Sequence, residues 1–390
     1  MYIPRDIVES LNRLRSKYPI LAVTGPRQSG KTTLLRHLFP DYQYVTLENP
    51  DIRERALSDP NGFLNTYSQR VIFDEVQQVP QLFSYLQGKV DNDKQMGQYV
   101  LSGSQNFQLL QSITQSLAGR VALFKLMPFS FHELEEGNLL DLHWHEAAFK
   151  GFYPALYDRN IDPTDFYRNY VETYLERDVR QLVNVRDLRQ FRLFLKYCAG
   201  HVGQMLNLQK IANEVGISQP TAQSWLSVLE TSYIVFTMPP YYRNFNKRLV
   251  KAPKLYFYDT GLVCYLLEMT RPNDLVNYYQ RGAIFENLLI AELNKHQFHT
   301  YQKNDFYFWR DSNDIEVDIL FEETANLKIA EIKSSETINS SFFNNMQKFS
   351  KIAIETALQP FLLYGGSESF EHLSTQVLSW RSVRNFLKKE

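Results

Sequence analysis

At 390 residues and 45.9 kDa the chain exceeds a single small module and, at roughly 100–200 residues per domain, holds two to four of them. Hydrophobic residues at 44% and charged residues at 22% exclude a disordered or fibrous chain, and 42 Lys+Arg against 43 Asp+Glu, a formal charge of -1, exclude a globally basic nucleic-acid coat while allowing a local basic surface. Two cysteines, Cys198 and Cys264, are too few for a disulfide framework or a four-cysteine zinc site, no apolar run approaches the ~18 residues of a membrane span, and Met1 to Tyr18 is broken by charges, so a cytoplasmic protein with no membrane partner is expected.

In the first ~150 residues, short apolar runs at Ile20–Thr24, Tyr42–Leu47, Val71–Phe73, Tyr99–Leu101 and Val121–Leu126 alternate with helical stretches, the pattern of a parallel sheet covered on both faces. From Phe152 to about Gly200 the pattern turns helical, with Tyr167, Tyr170, Tyr174 and Leu175 spaced for one helix face, as in a lid or connector. Leu208–Gly216 reads as an amphipathic helix closed by glycine. A second helix runs from the N-cap Ser218, with Pro220 in its first turn, to about Thr231. With strands expected at Tyr233–Met238 and Lys254–Tyr258, this predicts a winged helix-turn-helix. The last ~110 residues predict a helix at Ala283–Lys295 and strands at Asp305–Trp309, Glu316–Phe321, Lys328–Lys333 and Phe361–Tyr364. The expected boundaries are 1–150, 151–200, 201–270 and 271–390. The aromatic content of 14%, with 24 Tyr and 27 Phe, is assigned to large apolar cores rather than to base stacking.

Gly25-Pro26-Arg27-Gln28-Ser29-Gly30-Lys31-Thr32 matches G-x-x-x-x-G-K-[ST] in full, with a strand entering it and a helix containing Thr33 leaving it. Glycines at 25 and 30 let backbone N–H groups curve around phosphates, the helix N-terminus adds positive charge, Lys31 reaches the β- and γ-phosphates of ATP and the Thr32 hydroxyl ligates Mg2+. The strand Val71–Phe73 ends in Asp74-Glu75, which puts Asp74 beside the metal and leaves Glu75 to polarise the attacking water.

On these residues the first ~150 positions resemble AAA-type ATPases. The resemblance implies that Tyr99–Ser104 ends in a polar sensor of the γ-phosphate, Ser104 first, with Gln105 or Asn106 as alternates. It also implies that Arg120, just before Val121–Leu126, is an arginine finger acting in trans within a homo-oligomer; a surface arginine capping a helix is the competing reading.

The second helix of the winged unit offers Gln219, Thr221, Gln223 and Ser224 to bases or phosphates but has no Arg or Lys. Arg243, Lys247, Arg248, Lys251 and Lys254 instead form a basic stretch without an acid, a wing for DNA phosphates or a solvated hairpin. Asp318 followed by Glu331-Ile332-Lys333 fits the D-x(n)-[DE]-x-K pattern. Asp318 and Glu331 are candidates to hold Mg2+, Lys333 to stabilise the attacking hydroxide, and Glu286 to add a carboxylate. His143-Trp144-His145-Glu146 lacks a third well-spaced ligand and reads as surface. Together with Pro128–Glu133 and Tyr174–Asp178, the order resembles a prokaryotic family of AAA-type ATPases with a C-terminal domain of unknown function similar to restriction endonucleases. The fold class expected is α/β: a P-loop sheet with a helical lid, a winged helix and a nuclease-like α/β domain. The function expected is Mg-dependent ATP hydrolysis acting on or near DNA. An ATP-gated assembly switch with an inert C-terminal domain and an ATP-regulated endonuclease remain as alternatives.

Overall fold

The computed structural model describes residues 2–104, 115–175, 188–241, 251–302, 305–323, 326–353 and 356–388. Gln105, Asn106, Arg243, Lys247, Arg248 and the end of the Tyr174–Asp178 motif lie outside the described residues.

Five strands, β1 (Ile20–Thr24), β2 (Gln43–Thr46), β3 (Val71–Asp74), β4 (Tyr99–Ser102) and β5 (Val121–Lys125), form an all-parallel sheet in the order β2-β3-β4-β1-β5. The three central strands are buried along their whole length, as strands covered on both faces must be. Alternation then divides the core: Ile20 and Ala22 join the apolar cluster on one face, Leu21 and Val23 the cluster on the other.

Beyond β5, helices at Phe131–Glu136, Trp144–Lys150, Pro154–Asp158 and Pro163–Tyr170 lead through a π-helical turn at Val171–Leu175. Helices Leu208–Val215 and Gln219–Thr231 follow, with Gly216 left-handed at φ 75° between them and the Ser218 side chain accepting from the Thr221 N–H. Strands β6 (Val235–Met238) and β7 (Lys254–Phe257) pair antiparallel. The ribbon continues onto the next sheet, since Tyr241 N–H donates to the Phe308 carbonyl at 2.7 Å.

The C-terminal sheet is mixed. It contains β8 (Phe306–Arg310), β9 (Glu316–Glu322), β10 (Leu327–Lys333), β11 (Leu358–Tyr364), β12 (Phe370–His372) and β13 (Thr375–Ser379), in the order β12-β13-β11-β10-β9-β8. The helix expected at Ala283–Lys295 runs instead from Arg281 to Thr300. Its added turn carries Gln297 and His299, polar yet buried, whose surroundings rather than hydropathy keep it helical. One apolar cluster runs from Phe129 through the middle helices to Leu387, so the middle and C-terminal units share an interior. No helix among the described residues is long and apolar enough to cross a membrane.

A buried polar junction ties the N-terminus to this long helix. Arg5 donates to the carbonyls of Ser29 at 2.9 Å and Met127 at 2.6 Å and pairs with Glu133 at 3.0 Å. Asp6 meets Arg384, which also reaches Glu292 at 3.2 Å, and the Phe131 N–H donates to Glu292. His299 Nε2 accepts from the Met127 N–H, and burial holds the imidazole neutral, its pKa well below the usual range. The donor atoms of Asp6, Glu133 and His299 lie within 4.8 Å of one another, but Arg5 and Arg384 already supply the countercharge.

Burial pushes the Glu292 carboxyl up to about 7, against the pull of Arg384 and Lys295. A carboxyl raised in the folded state contributes stability that is full below its unfolded pKa and is lost as pH rises through about 7. The thermal midpoint of the wild type should therefore fall more between about pH 6 and about pH 8 than that of Glu292→Gln. Equal falls in the two proteins would exclude this.

Candidate functional site

The loop 25–32 leaves the carboxyl end of β1 and feeds the helix Lys31–Leu38. Its turn needs left-handed backbone: Gly25 at φ 146°, Gln28 at 61° and Gly30 at 93°. At Gly25 space is also limiting, because a Cβ there would sit 2.1 Å from the Leu126 carbonyl oxygen. Lys31 is buried, with its ammonium donating to the carbonyls of Gly25 at 3.0 Å and Pro26 at 2.8 Å. Ser29 is fully buried, and its hydroxyl has no hydrogen-bond partner.

Thr32 and Asp74 come together as the sequence predicts: the Thr32 hydroxyl donates to Asp74 Oδ2 at 2.8 Å. Tyr44 donates to the same oxygen at 2.6 Å, while Ser102 and the Glu75 N–H serve Oδ1. An all-oxygen donor set of one hydroxyl and one carboxylate suits a hard cation such as Mg2+. Glu75 sits at φ 53°, which turns its side chain out of the strand direction. Gln77 and Ser104 (3.1 Å) donate to its Oε2. Ser104 therefore lies beside Glu75.

Of these, Lys31, Thr32, Glu75 and Ser104 line one cavity of about 760 Å3, within the range for ligand pockets, and Asp74 is held behind Thr32. Arg27, Gln28, Gly30, Lys31, Thr32 and Thr33 line it together with Glu75 and Ser104. The rest of the lining was not read from the sequence. Tyr2, Ile3, Phe129, Leu139, Pro154 and Tyr157 make an apolar and aromatic wall, and Arg159 adds a cation from the helical region. Arg27 stacks over Tyr174 at 5.6 Å, linking the loop to that region. The Pro at the start of Pro154–Asp158 signals the helix, but nothing local signals which face meets the loop.

Arg120 is not brought to this cavity. It precedes β5, at the amino end of the sheet, and its guanidinium grips Asp91 of the helix Leu82–Asp93 through Nε (2.6 Å) and Nη2 (2.8 Å). The pair is exposed, so little opposes its exchange for another anion.

In the C-terminal unit, Glu286 on the long helix, Asp318 on β9 and Glu331 and Lys333 on β10 gather into one cluster. Lys333 pairs with Glu331 at 2.6 Å, Asn345 reaches the same oxygen at 3.4 Å, and Asp318 accepts from the Ile332 N–H at 2.7 Å. Burial pushes Glu331 up to about 8 and Glu286 up to about 7; neighbouring Asp318 adds to both.

The cluster also holds Lys254, a correction to its expected place in a solvent-facing basic wing. Lys254 is buried on β7, with its ammonium 2.9 Å from Glu286 and 2.5 Å from Glu316. Tyr256 donates to Glu286 at 2.5 Å. Lys251 remains exposed. His143 and His145 stack at 5.3 Å, with His143 exposed beside Glu336, as a surface pair would.

Residues 17–135 match the family model described as an AAA domain; residues 141–273 and 281–383 match two domains of unknown function, DUF8612 and DUF4143. Uncharacterized proteins of Mycobacterium tuberculosis and Mycobacterium bovis are each 30% identical over 336 residues, which is 85% of this chain and 74% of theirs. The chain belongs to their family. A Haemophilus influenzae protein is 23% identical over 62% of this chain and 68% of its own. Among solved structures, a Walker-type ATPase of Pyrococcus abyssi aligns with 67% of this chain and 95% of its own at 14% identity, with a TM-score of 0.44. By its family match the first unit is an AAA-type domain, and the loop 25–32 lies within it.

Gly25→Ala should weaken binding of a non-hydrolysable ATP analogue by about tenfold or more, because the loop must move off Leu126. Calorimetric titration measures it, and wild-type affinity in the variant would contradict the geometry.

Proposed function

We propose that the protein is a Mg-dependent ATP hydrolase that oligomerises and acts on or near DNA. The observation that carries the ATPase reading is the convergence of Lys31, Thr32 and Glu75 on one cavity at the carboxyl end of a parallel sheet, with Asp74 hydrogen-bonded to Thr32 beside it. Adenine and ribose fit the aromatic wall of Phe129 and Tyr157, and the phosphates fit the loop, with Arg27 and Arg159 adding charge. Thr32 and Asp74 would hold Mg2+, which when bound neutralises charge on the phosphates. Lys31 exchanges its contacts with Gly25 and Pro26 for phosphate oxygens. Glu75 accepts a proton from the attacking water, and Ser104 keeps it oriented.

Arg120 serves a neighbouring subunit's nucleotide in this reading. Its position far from its own loop and its exposed partner Asp91 support that role. DNA contact rests on the helix pair Leu208–Val215 and Gln219–Thr231 with its β6–β7 ribbon, a winged-helix arrangement. It rests also on the C-terminal set Glu286, Asp318, Glu331 and Lys333, which is similar to a restriction-endonuclease centre. The ion pairing of Glu286 and Glu331 with lysines favours a second reading, in which the C-terminal domain does not cut and ATP controls assembly.

Lys31→Ala should abolish phosphate release, and Glu75→Gln should retain ATP binding while slowing hydrolysis by about 10²–10⁴-fold. Wild-type turnover in either variant would overturn the assignment.

A further inference from the structure

We propose that Lys254 is a built-in cation that locks the C-terminal carboxylate cluster, and that a divalent metal ion enters the cluster only by displacing it. The proposal rests on reading that cluster as a divalent-cation site.

Lys254 comes from outside the sheet whose carboxylates it serves. It begins β7 of the two-stranded ribbon, opposite Met238, and its backbone also bridges to Met205. From there the side chain enters the C-terminal unit and is 4% exposed. Its ammonium joins Glu286 of the long helix to Glu316 of β9 and lies 5.3 Å from the Phe308 ring. Tyr256, two residues along β7 and therefore on the same face, donates to the oxygen of Glu286 that Lys254 holds.

The ammonium supplies, between Glu286 and Glu316 and next to Asp318, positive charge of the kind a metal ion would bring. Glu286, Glu316, Asp318 and Glu331 supply four carboxylates; Lys254 and Lys333 answer with two buried or half-buried ammonium groups, and Arg310 reaches Glu316 from the surface at 3.2 Å. Glu331 Oε2 is buried without a hydrogen-bond partner. A lone ammonium with three donors can bridge two carboxylates at hydrogen-bond distance, whereas Mg2+ or Mn2+ draws oxygens in to about 2.0–2.2 Å. Among the described residues, the cluster's carboxylates do not form a set of three with donor atoms within 4.8 Å of one another; the one such set is Asp6, Glu133 and His299. With Lys254 in place the cluster is therefore held open at ammonium spacing. Removing that charge lets the carboxylates close on a metal. Lys254 acts through Glu286 and Glu316 and is a positioning residue.

Two measurements on the full-length, nucleotide-free protein test this, with Mn2+ as the probe. In calorimetric titration, Lys254→Met should bind Mn2+ at least about tenfold more tightly than wild type, and the gain should vanish when Asp318→Asn is added. Affinity equal to or weaker than wild type in Lys254→Met overturns the lock and leaves the metal site standing. Failure of both proteins to show any Asp318-dependent binding overturns both. The second measurement needs no variant: amine acylation of wild-type protein, read by mass spectrometry, should find Lys254 protected without metal and labelled at least about fivefold faster with saturating Mn2+. A labelling rate that Mn2+ does not change overturns displacement, including the case in which Lys254→Met gains affinity by charge removal alone.

Discussion

Four hydrogen bonds converge on one carboxylate, that of Asp74. Thr32 brings the start of the loop's helix, Tyr44 the adjacent edge strand β2, Ser102 the far neighbour β4, and the Glu75 N–H the turn after β3. A buried carboxylate is tolerated only when donors replace the water it has lost. The strands that supply them must therefore end in register, and the loop must lie where Thr32 can reach. Once that is satisfied, Lys31, Glu75 and Ser104 face the same cavity without further specification. A bound cation would find the Asp74 carboxylate already oriented by these donors, so little reorganisation would accompany metal binding.

The rest of the chain closes the cavity from above and joins it to the C-terminal unit. Arg5 touches the loop through Ser29, the end of β5 through Met127, and the following helix through Glu133. Thr24, the last residue before the loop, shares a hydrogen bond with Tyr233 at the foot of the ribbon. A displacement of the loop on nucleotide binding thus meets polar contacts leading to His299, Glu292 and Arg384 on one side and to β6–β7 on the other. The high aromatic content serves this packing: Phe129, Tyr153, Tyr157 and Tyr167 fill the space between cavity and core.

What was legible in the sequence was local. The glycine-rich loop occupies eight consecutive positions whose chemistry is set by their own backbone, and the continuous apolar run Ile20–Thr24 before it is enough to locate a buried strand. The partnership of Thr32 with Asp74 was legible from chemistry, since a hydroxyl and a carboxylate at these places suit one hard cation. Lys254 was illegible because five basic residues in twelve positions read as a solvated stretch; only the pairing of β7 against the long helix reveals that one of them is buried among acids. The last turn of Arg281–Thr300 failed for a similar reason, as the polarity of Gln297 and His299 suggests solvent until their buried surroundings are seen. The pocket's aromatic wall gathers residues from position 2 to position 157, and no window of sequence contains it. Strands β12 and β13 carry short, mixed patterns below what alternation can resolve.

The most direct test of the central claim is the Mg2+ dependence of ATP binding in Asp74→Asn compared with wild type, by titration with and without the ion. Mg2+ should tighten binding to the wild type, and the variant should lose this gain while keeping its Mg2+-free affinity. The same Mg2+ effect in both proteins would contradict it.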